Sequence, residues 1–225
     1  MLAVLRHGFW RVCIGSVVRH PALMIFAKQP IPGQVKTRLQ PEFNPEKAAQ
    51  VADFLIRETV ELAVSSWPDP IYVCGAPNTD HPLFRELAQQ FGVTLLEQGD
   101  GDLGSRMHRA LAYGIQHHGA AAVLGGDVPH CDWDILDDAN AALVRGRAVL
   151  GPSEDGGYYL LGLSEARAEL FADIPWGGPK VFDITLERAY EVGVEFTLLP
   201  ALRDIDTAAD LWLIAQQHPS LRRFL

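Results

Sequence analysis

From residue 22 onward, apolar runs of strand length alternate with helix-period segments, and this alternation constrains the fold more than any other feature of the chain. The apolar runs predict strands over 22–27, 71–75, 93–96, 120–124, 148–151, 158–163 and 194–199. Helices are predicted over 45–66, 82–91, 103–117, 132–144, 181–192 and 207–217. In the first of these, Ala48, Val51, Ala52, Leu55, Thr59, Leu62 and Ala63 recur at three- and four-residue steps on one face, with Pro45 in the first turn and Asn44 as its cap. Such an order implies a mostly parallel sheet covered on both faces. Ligands of these sheets sit at the carboxyl ends of the strands, which puts Lys28, Asp127 and their loops on one edge.

The chain has 225 residues, 48% of them hydrophobic and 21% charged, enough to fill one sizeable core, so a single domain is expected over 22–225. A net charge of −9 argues against broad nucleic-acid binding, which depends on basic surface. Cys13, Cys74 and Cys131 form no CxxC pair and no even framework, so a reducing cytoplasm fits best. Residues 1–21 read as an N-terminal extension. Arg6, Arg11 and Arg19 interrupt its apolar residues, so it offers neither the ~20-residue apolar stretch of a membrane span nor a signal-peptide layout.

The first strand runs into Lys28-Gln29-Pro30-Ile31-Pro32-Gly33-Gln34-Val35-Lys36-Thr37-Arg38-Leu39. A loop with three cations, two prolines and a glycine after a strand is suited to an anion, phosphate first. Gly33 allows close backbone approach, and Lys28, Lys36 and Arg38 can neutralise a diphosphate. It is not a Walker A, because Val35 separates Gly33-Gln34 from Lys36-Thr37, and it lacks the Gly-x-Gly-x-x-Gly spacing. By itself it also fits an ordinary surface loop, and the apolar neighbours Val35 and Leu39 leave a Lys36 turned toward solvent as the alternative.

Three acidic segments follow. Gly125-Gly126-Asp127-Val128-Pro129 ends a buried strand with a carboxylate that could bridge a hard cation to ligand phosphates; Asp127 could instead cap the helix beginning near Cys131, but Asp132 or Asp134 already offers that cap, which favours the metal. In Ser153-Glu154-Asp155-Gly156-Gly157-Tyr158-Tyr159, Asp155 is a candidate metal ligand or base, and the tyrosines can flank a sugar or other acceptor. Asp-Gly-Gly is also a plain hairpin turn. In Arg203-Asp204-Ile205-Asp206-Thr207, Asp204 and Asp206 alternate and point to one side of an extended backbone, with Asp206 or Thr207 as a helix cap. Arg106 lies in the first turn of the helix that opens after Gly99-Asp100-Gly101-Asp102, where helix N-termini attract anions. No H-x-x-x-H, H-E-x-x-H or Gly-x-Ser-x-Gly pattern occurs, which disfavours zinc hydrolase and serine-nucleophile chemistry.

These motifs occur in the order seen in the bacterial GT-A-like glycosyltransferase family of the selenodomain-associated or arsenosugar-biosynthesis type, which the chain resembles over about residues 22–212. The resemblance implies the nucleotide-diphospho-sugar transferase (GT-A) fold, a Rossmann-like three-layer α/β/α sandwich that uses a divalent cation, Mg²⁺ or Mn²⁺. It puts Asp127 at the family's metal-binding carboxylate, with Gly-Gly-Asp for the usual Gly-Ser-Asp. Pro129 precludes a full Asp-x-Asp there, so the second ligand is Asp206 or Asp155. Ala27, Lys28, Gly33, Lys36, Arg38, Arg106 and Gly126 would hold the nucleotide, and Gly156, Gly157 and Tyr158 the acceptor. Asp155, Lys28 and Arg38 are the catalytic candidates. The implied activity is glycosyl transfer from a nucleotide sugar to a small acceptor. The same fold also serves nucleotidyltransferases that use a nucleoside triphosphate. A non-catalytic nucleotide binder would not need three carboxylates beside a phosphate site.

Overall fold

A computed structural model describes residues 20–68 and 70–225. Of the expected N-terminal extension, residues 1–19 lie outside the described residues, as does Cys13. Seven strands form one sheet: β1 (Ala22–Lys28), β2 (Ile71–Ala76), β3 (Thr94–Glu97), β4 (Ala121–Gly125), β5 (Ala148–Pro152), β6 (Tyr158–Leu163) and β7 (Phe196–Leu198). Their order across the sheet is β3-β2-β1-β4-β6-β5-β7. The β1–β2, β2–β3, β1–β4 and β5–β7 pairs are parallel, and β6 alone runs against its neighbours β4 and β5.

The period-two alternation of β1 sorts its side chains between two cores. Leu23, Ile25 and Ala27 join the face covered by α1 (Pro45–Ser66), α2 (Pro82–Phe91) and α4 (Trp133–Val144); Ala22 and Met24 join the face covered by α3 (Leu103–His118) and α5 (Val181–Glu191). Each buried Leu or Ile of these layers contributes roughly 1.5–3 kcal/mol by leaving water. The helix α6 (Ala208–Gln217) lies outside the three layers, its Leu211 and Ile214 packed with Val51, Phe54 and Leu55 of α1. The result is a three-layer α/β/α sandwich. No helix among the described residues is long and apolar enough to cross a membrane.

Local sequence sets the boundaries. The Asn44 side chain accepts from Lys47 N with Pro45 in the first turn, as the sequence implied. Asp132, not Asp127, caps α4 by accepting from Ile135 N, which leaves the Asp127 carboxylate free of a capping role there. Thr207, not Asp206, caps α6, in a capping box with Asp210. The strand β7 is shorter than the apolar run 194–199 because Val194 N donates to Ala189 O and is held by the end of α5.

Candidate active site

The strands β2 and β4 lie on opposite sides of β1, so chain order reverses there, and a crevice opens at the carboxyl ends of β1 and β4. A cavity of about 690 Å³ occupies it, lined among others by Lys28, Lys36, Arg106, Asp127, Asp155 and Tyr158. Ala27, Gly126 and Gly157 line it as well. Gly33, Arg38, Asp206 and Gly156 stand outside its lining.

The loop after β1 is fixed by two apolar anchors. Val35 is buried beside Ala49 and Ala52 of α1, and Leu39, in the short 3₁₀ turn Thr37–Leu39, is buried with Phe43, Val51 and Leu55. With both neighbours turned toward α1, Lys36 adopts a left-handed backbone, φ 46°, and its side chain goes the other way, into the site. Of the two directions open to Lys36, the structure has the one toward the site: its side chain is 8% exposed, and Nζ lies 2.8 Å from Asp127 Oδ2 and 3.0 Å from Asp206 Oδ1. Arg38 stays exposed and places Nη1 2.9 Å from Asp206 Oδ2. Lys28, exposed at the end of β1, makes no ion pair among the described residues.

Asp127, Asp204 and Asp206 each bring one carboxylate oxygen within 4.8 Å of the others. The backbone accounts for this. Ile205 N donates to Asp127 O at 3.2 Å, and the buried Ile205 side chain packs into the α1–α6 core, so its two neighbours face the strand end. Burial, then the charges of Asp127, Asp206 and Asp155, pushes the Asp204 carboxyl up to about 6. Burial also disfavours charge on Asp206, yet Lys36 and Arg38 outweigh it and hold that carboxyl below its ordinary value. Burial likewise opposes the Lys36 charge, and the carboxylates of Asp127 and Asp206 more than offset it, raising the lysine above its ordinary value. Three carboxylates against two cations, all hard oxygen donors, form a set suited to Mg²⁺ or Mn²⁺. To the expected pair, Asp127 with Asp206 or Asp155, the structure adds Asp204, and it leaves Asp155 beside the group, near enough to raise Asp204.

The β5–β6 hairpin forms the opposite wall. The Asp155 Oδ1 accepts from Gly157 N at 2.9 Å, closing the turn, and the residue also lines the cavity, so the structural and the site readings of Asp-Gly-Gly coexist. Gly156 has φ 91° and abuts the backbone carbonyl of Pro179. The two tyrosines divide. Tyr159 is buried, with Oη donating to Pro200 O at 3.0 Å, whereas the Tyr158 ring meets Trp176 edge-on, centroids 6.4 Å apart, and burial pushes its hydroxyl pKa well up. At the start of α3, Asp102 caps by accepting from Ser105 N, and Arg106 Nη1 donates to Oε1 of the buried Gln98 at 3.2 Å. Gln98 Nε2 in turn donates to Cys74 O at 2.8 Å, which fixes its amide. The Trp176 ring covers Gly104, where a side chain would collide with the indole. Neither Gln98 nor Trp176 belongs to a motif of the sequence. Gln98 was signalled only as a polar residue at a strand end, and Trp176 lies in irregular chain with no pattern.

The family described as "Uncharacterized protein conserved in bacteria" (DUF2064) matches residues 59–178, more than half of the 225, and the chain belongs to that family. The match includes Arg106, Asp127 and Asp155; the loop from Lys28 to Leu39 and the pair Asp204 and Asp206 lie outside it. No curated protein sequence matches the chain. Among solved structures, it is similar to a protein of Desulfovibrio desulfuricans G20 described provisionally as a nucleotide-diphospho-sugar transferase, with 27% identity over 88% of this chain and 87% of that one and a TM-score of 0.80. A CMP:2-keto-3-deoxy-manno-octonic acid synthetase complexed with CTP shares 13% identity over 89% of this chain and 99% of that one, TM-score 0.55. A manganese complex of Rv0371c from Mycobacterium tuberculosis H37Rv shares 14% over 88% and 98%, TM-score 0.54. The last two likenesses concern the fold, which is that of the nucleotide-diphospho-sugar transferase superfamily.

Proposed function

We propose that this DUF2064 member is a Mg²⁺- or Mn²⁺-dependent transferase that takes a nucleotide-activated sugar and passes the glycosyl group to a small acceptor, with residues 22–225 acting as one cytoplasmic catalytic domain. The observation that carries this reading is the junction, in one cavity at a strand-order reversal, of the cations Lys28, Lys36 and Arg106 with a carboxylate cluster. Its likeness in fold to a CTP complex and to a manganese complex supports a nucleotide and a divalent cation as partners.

Asp127, Asp204 and Asp206 would hold the cation. When bound, it would supply positive charge to the departing diphosphate. Lys28, Lys36 and Arg106 would bind the diphosphate, with Ala27 and Gly126 letting it approach the backbone. Arg38, anchored at one nitrogen by Asp206, has further donors for the leaving group. Asp155 commits one oxygen to Gly157 and would use the other to orient or deprotonate the acceptor hydroxyl, beside Gly156, Gly157 and Tyr158.

The distribution of charge favours glycosyl over nucleotidyl transfer. Among the described residues that line the cavity, the cations come from the end of β1, the loop after it and α3. The hairpin wall supplies Asp155, Tyr158 and the adjoining Trp176 without a cation. A phosphorylated acceptor would lack a partner there, whereas a neutral hydroxylated one would not. Nucleotidyl transfer is the second reading, favoured by the fold's likeness to the CTP-bound synthetase. Phosphorus NMR of reactions with Mn²⁺ and hydroxylated acceptors tests the choice: glycosyl transfer releases a nucleoside diphosphate from a nucleotide sugar. Pyrophosphate from a triphosphate would establish the second reading instead.

A further inference from the structure

Lys36 occupies the space between two of the carboxylates proposed to hold the cation, 2.8 Å from Asp127 and 3.0 Å from Asp206. Its left-handed φ of 46° is a conformation that a non-glycine residue holds only where its surroundings impose it. Here Val35 and Leu39, buried on either side, impose it. The same side chain lines the cavity, so an anion bound there competes with Asp127 and Asp206 for one ammonium. A positive charge in hydrogen-bond contact with two carboxylates also cancels much of the field that attracts a divalent cation.

Resting on the metal-dependent reading above, we infer that Lys36 couples cation binding to nucleotide binding. In the nucleotide-free protein it competes for Asp127 and Asp206 and keeps affinity for the divalent cation low. A diphosphate in the cavity draws its charge away, so that cation and nucleotide bind together. The coupling is reciprocal, each raising the affinity of the other by the same factor. It is the charge of Lys36, rather than its bulk, that acts.

Calorimetric titration of Mn²⁺ into nucleotide-free protein tests this without any turnover. Lys36→Met keeps the length of the side chain and removes the charge, and should bind Mn²⁺ at least about tenfold more tightly than wild type, equivalent to about 1.4 kcal/mol. Lys36→Arg, which keeps the charge, should stay as weak as wild type. In wild type, saturating CDP, UDP or GDP, tried singly, should raise Mn²⁺ affinity at least about tenfold for the nucleotide that binds, a measurement that holds whether or not Lys36→Met folds. A Lys36→Met protein that folds but binds Mn²⁺ no more tightly than wild type overturns the inference. So does a wild-type Mn²⁺ site, abolished by Asp127→Asn, whose affinity is indifferent to all three nucleotides; in that case the metal-dependent reading stands. No Mn²⁺ binding by any of these proteins, with or without nucleotide, overturns both.

Discussion

The backbone N–H of Ile205 donates to the carbonyl oxygen of Asp127 across 3.2 Å, and this hydrogen bond joins the segment that precedes α6 to the end of β4. Because Asp204 and Asp206 flank Ile205, it is the link that brings three carboxylates to one point. The link depends on packing: the Ile205 side chain is fully buried with Leu211, Ile214 and Leu39.

Ile205→Ala should therefore lower stability by about 2–5 kcal/mol and Ile205→Val by about 0.5–1.5 kcal/mol. The larger truncation should also weaken Mn²⁺ binding in the presence of nucleotide, since it loosens the segment that carries two ligands. Urea denaturation together with calorimetry checks both. A destabilised Ile205→Ala protein with wild-type Mn²⁺ affinity would show that the carboxylates do not depend on this anchor.

Asp204 carries a pH dependence with a definite sign. Its carboxyl stands at about 6 in the folded, metal-free protein against 3.8 for the ordinary group, through burial first and neighbouring carboxylates second. The folded state thus holds this proton more tightly than the unfolded chain. The group's contribution to stability is present below the unfolded value and is lost as pH rises through about 6. Asp204→Asn should stabilise the metal-free protein by about 1–2 kcal/mol near neutral pH, after allowance for solvent screening, and by much less near pH 4. Denaturation curves at the two pH values are the check, and an equal gain at both would contradict the assignment.

Gly156 sits at φ 91° with the Pro179 carbonyl where a Cβ would go. Backbone cannot yield as the end of a side chain can, so Gly156→Ala combines left-handed strain with a clash, expected to cost at least about 2 kcal/mol. Phe182 N donates to Gly156 O, so α5 should be disturbed together with the hairpin. Wild-type melting behaviour in Gly156→Ala would mean that the hairpin and the Pro179 segment separate freely.

Asp155→Asn isolates chemistry from structure, because the amide oxygen can still accept from Gly157 and keep the turn. Loss of a base that acts on the acceptor should cut turnover by about 10²–10⁴-fold while donor affinity stays near wild type. Single-turnover rates set beside donor titrations separate the two. Unimpaired turnover would reduce Asp155 to the turn residue its local sequence describes.

Much of the fold was legible because hydrophobic period decides it: apolar runs alternating with helix patterns such as Ala48, Val51, Leu55 and Ala63 of α1 gave the order and type of the elements, though strand ends shifted by a residue or more. Asp127 was legible for the same reason, since a carboxylate after a buried run must emerge at the sheet edge. The direction of Lys36 was not legible, because it depends on a left-handed φ imposed by buried Val35 and Leu39, which side-chain spacing does not encode. Asp204 was seen to share a side with Asp206, but its place among the carboxylates depends on a hydrogen bond between residues remote in sequence. Trp176 lies over Gly104 of α3, a contact between residues remote in sequence that no local pattern encodes.

The most direct test of the account is calorimetric titration of a panel of nucleoside diphosphates and nucleotide sugars into wild-type and Asp127→Asn proteins, with and without Mn²⁺. At least one nucleotide should bind wild type in a strongly Mn²⁺-dependent way, and that dependence should vanish in an Asp127→Asn protein whose melting temperature is unchanged. Nucleotide binding of equal strength with and without Mn²⁺, or undiminished in Asp127→Asn, would contradict a metal-assisted nucleotide site at the end of β4.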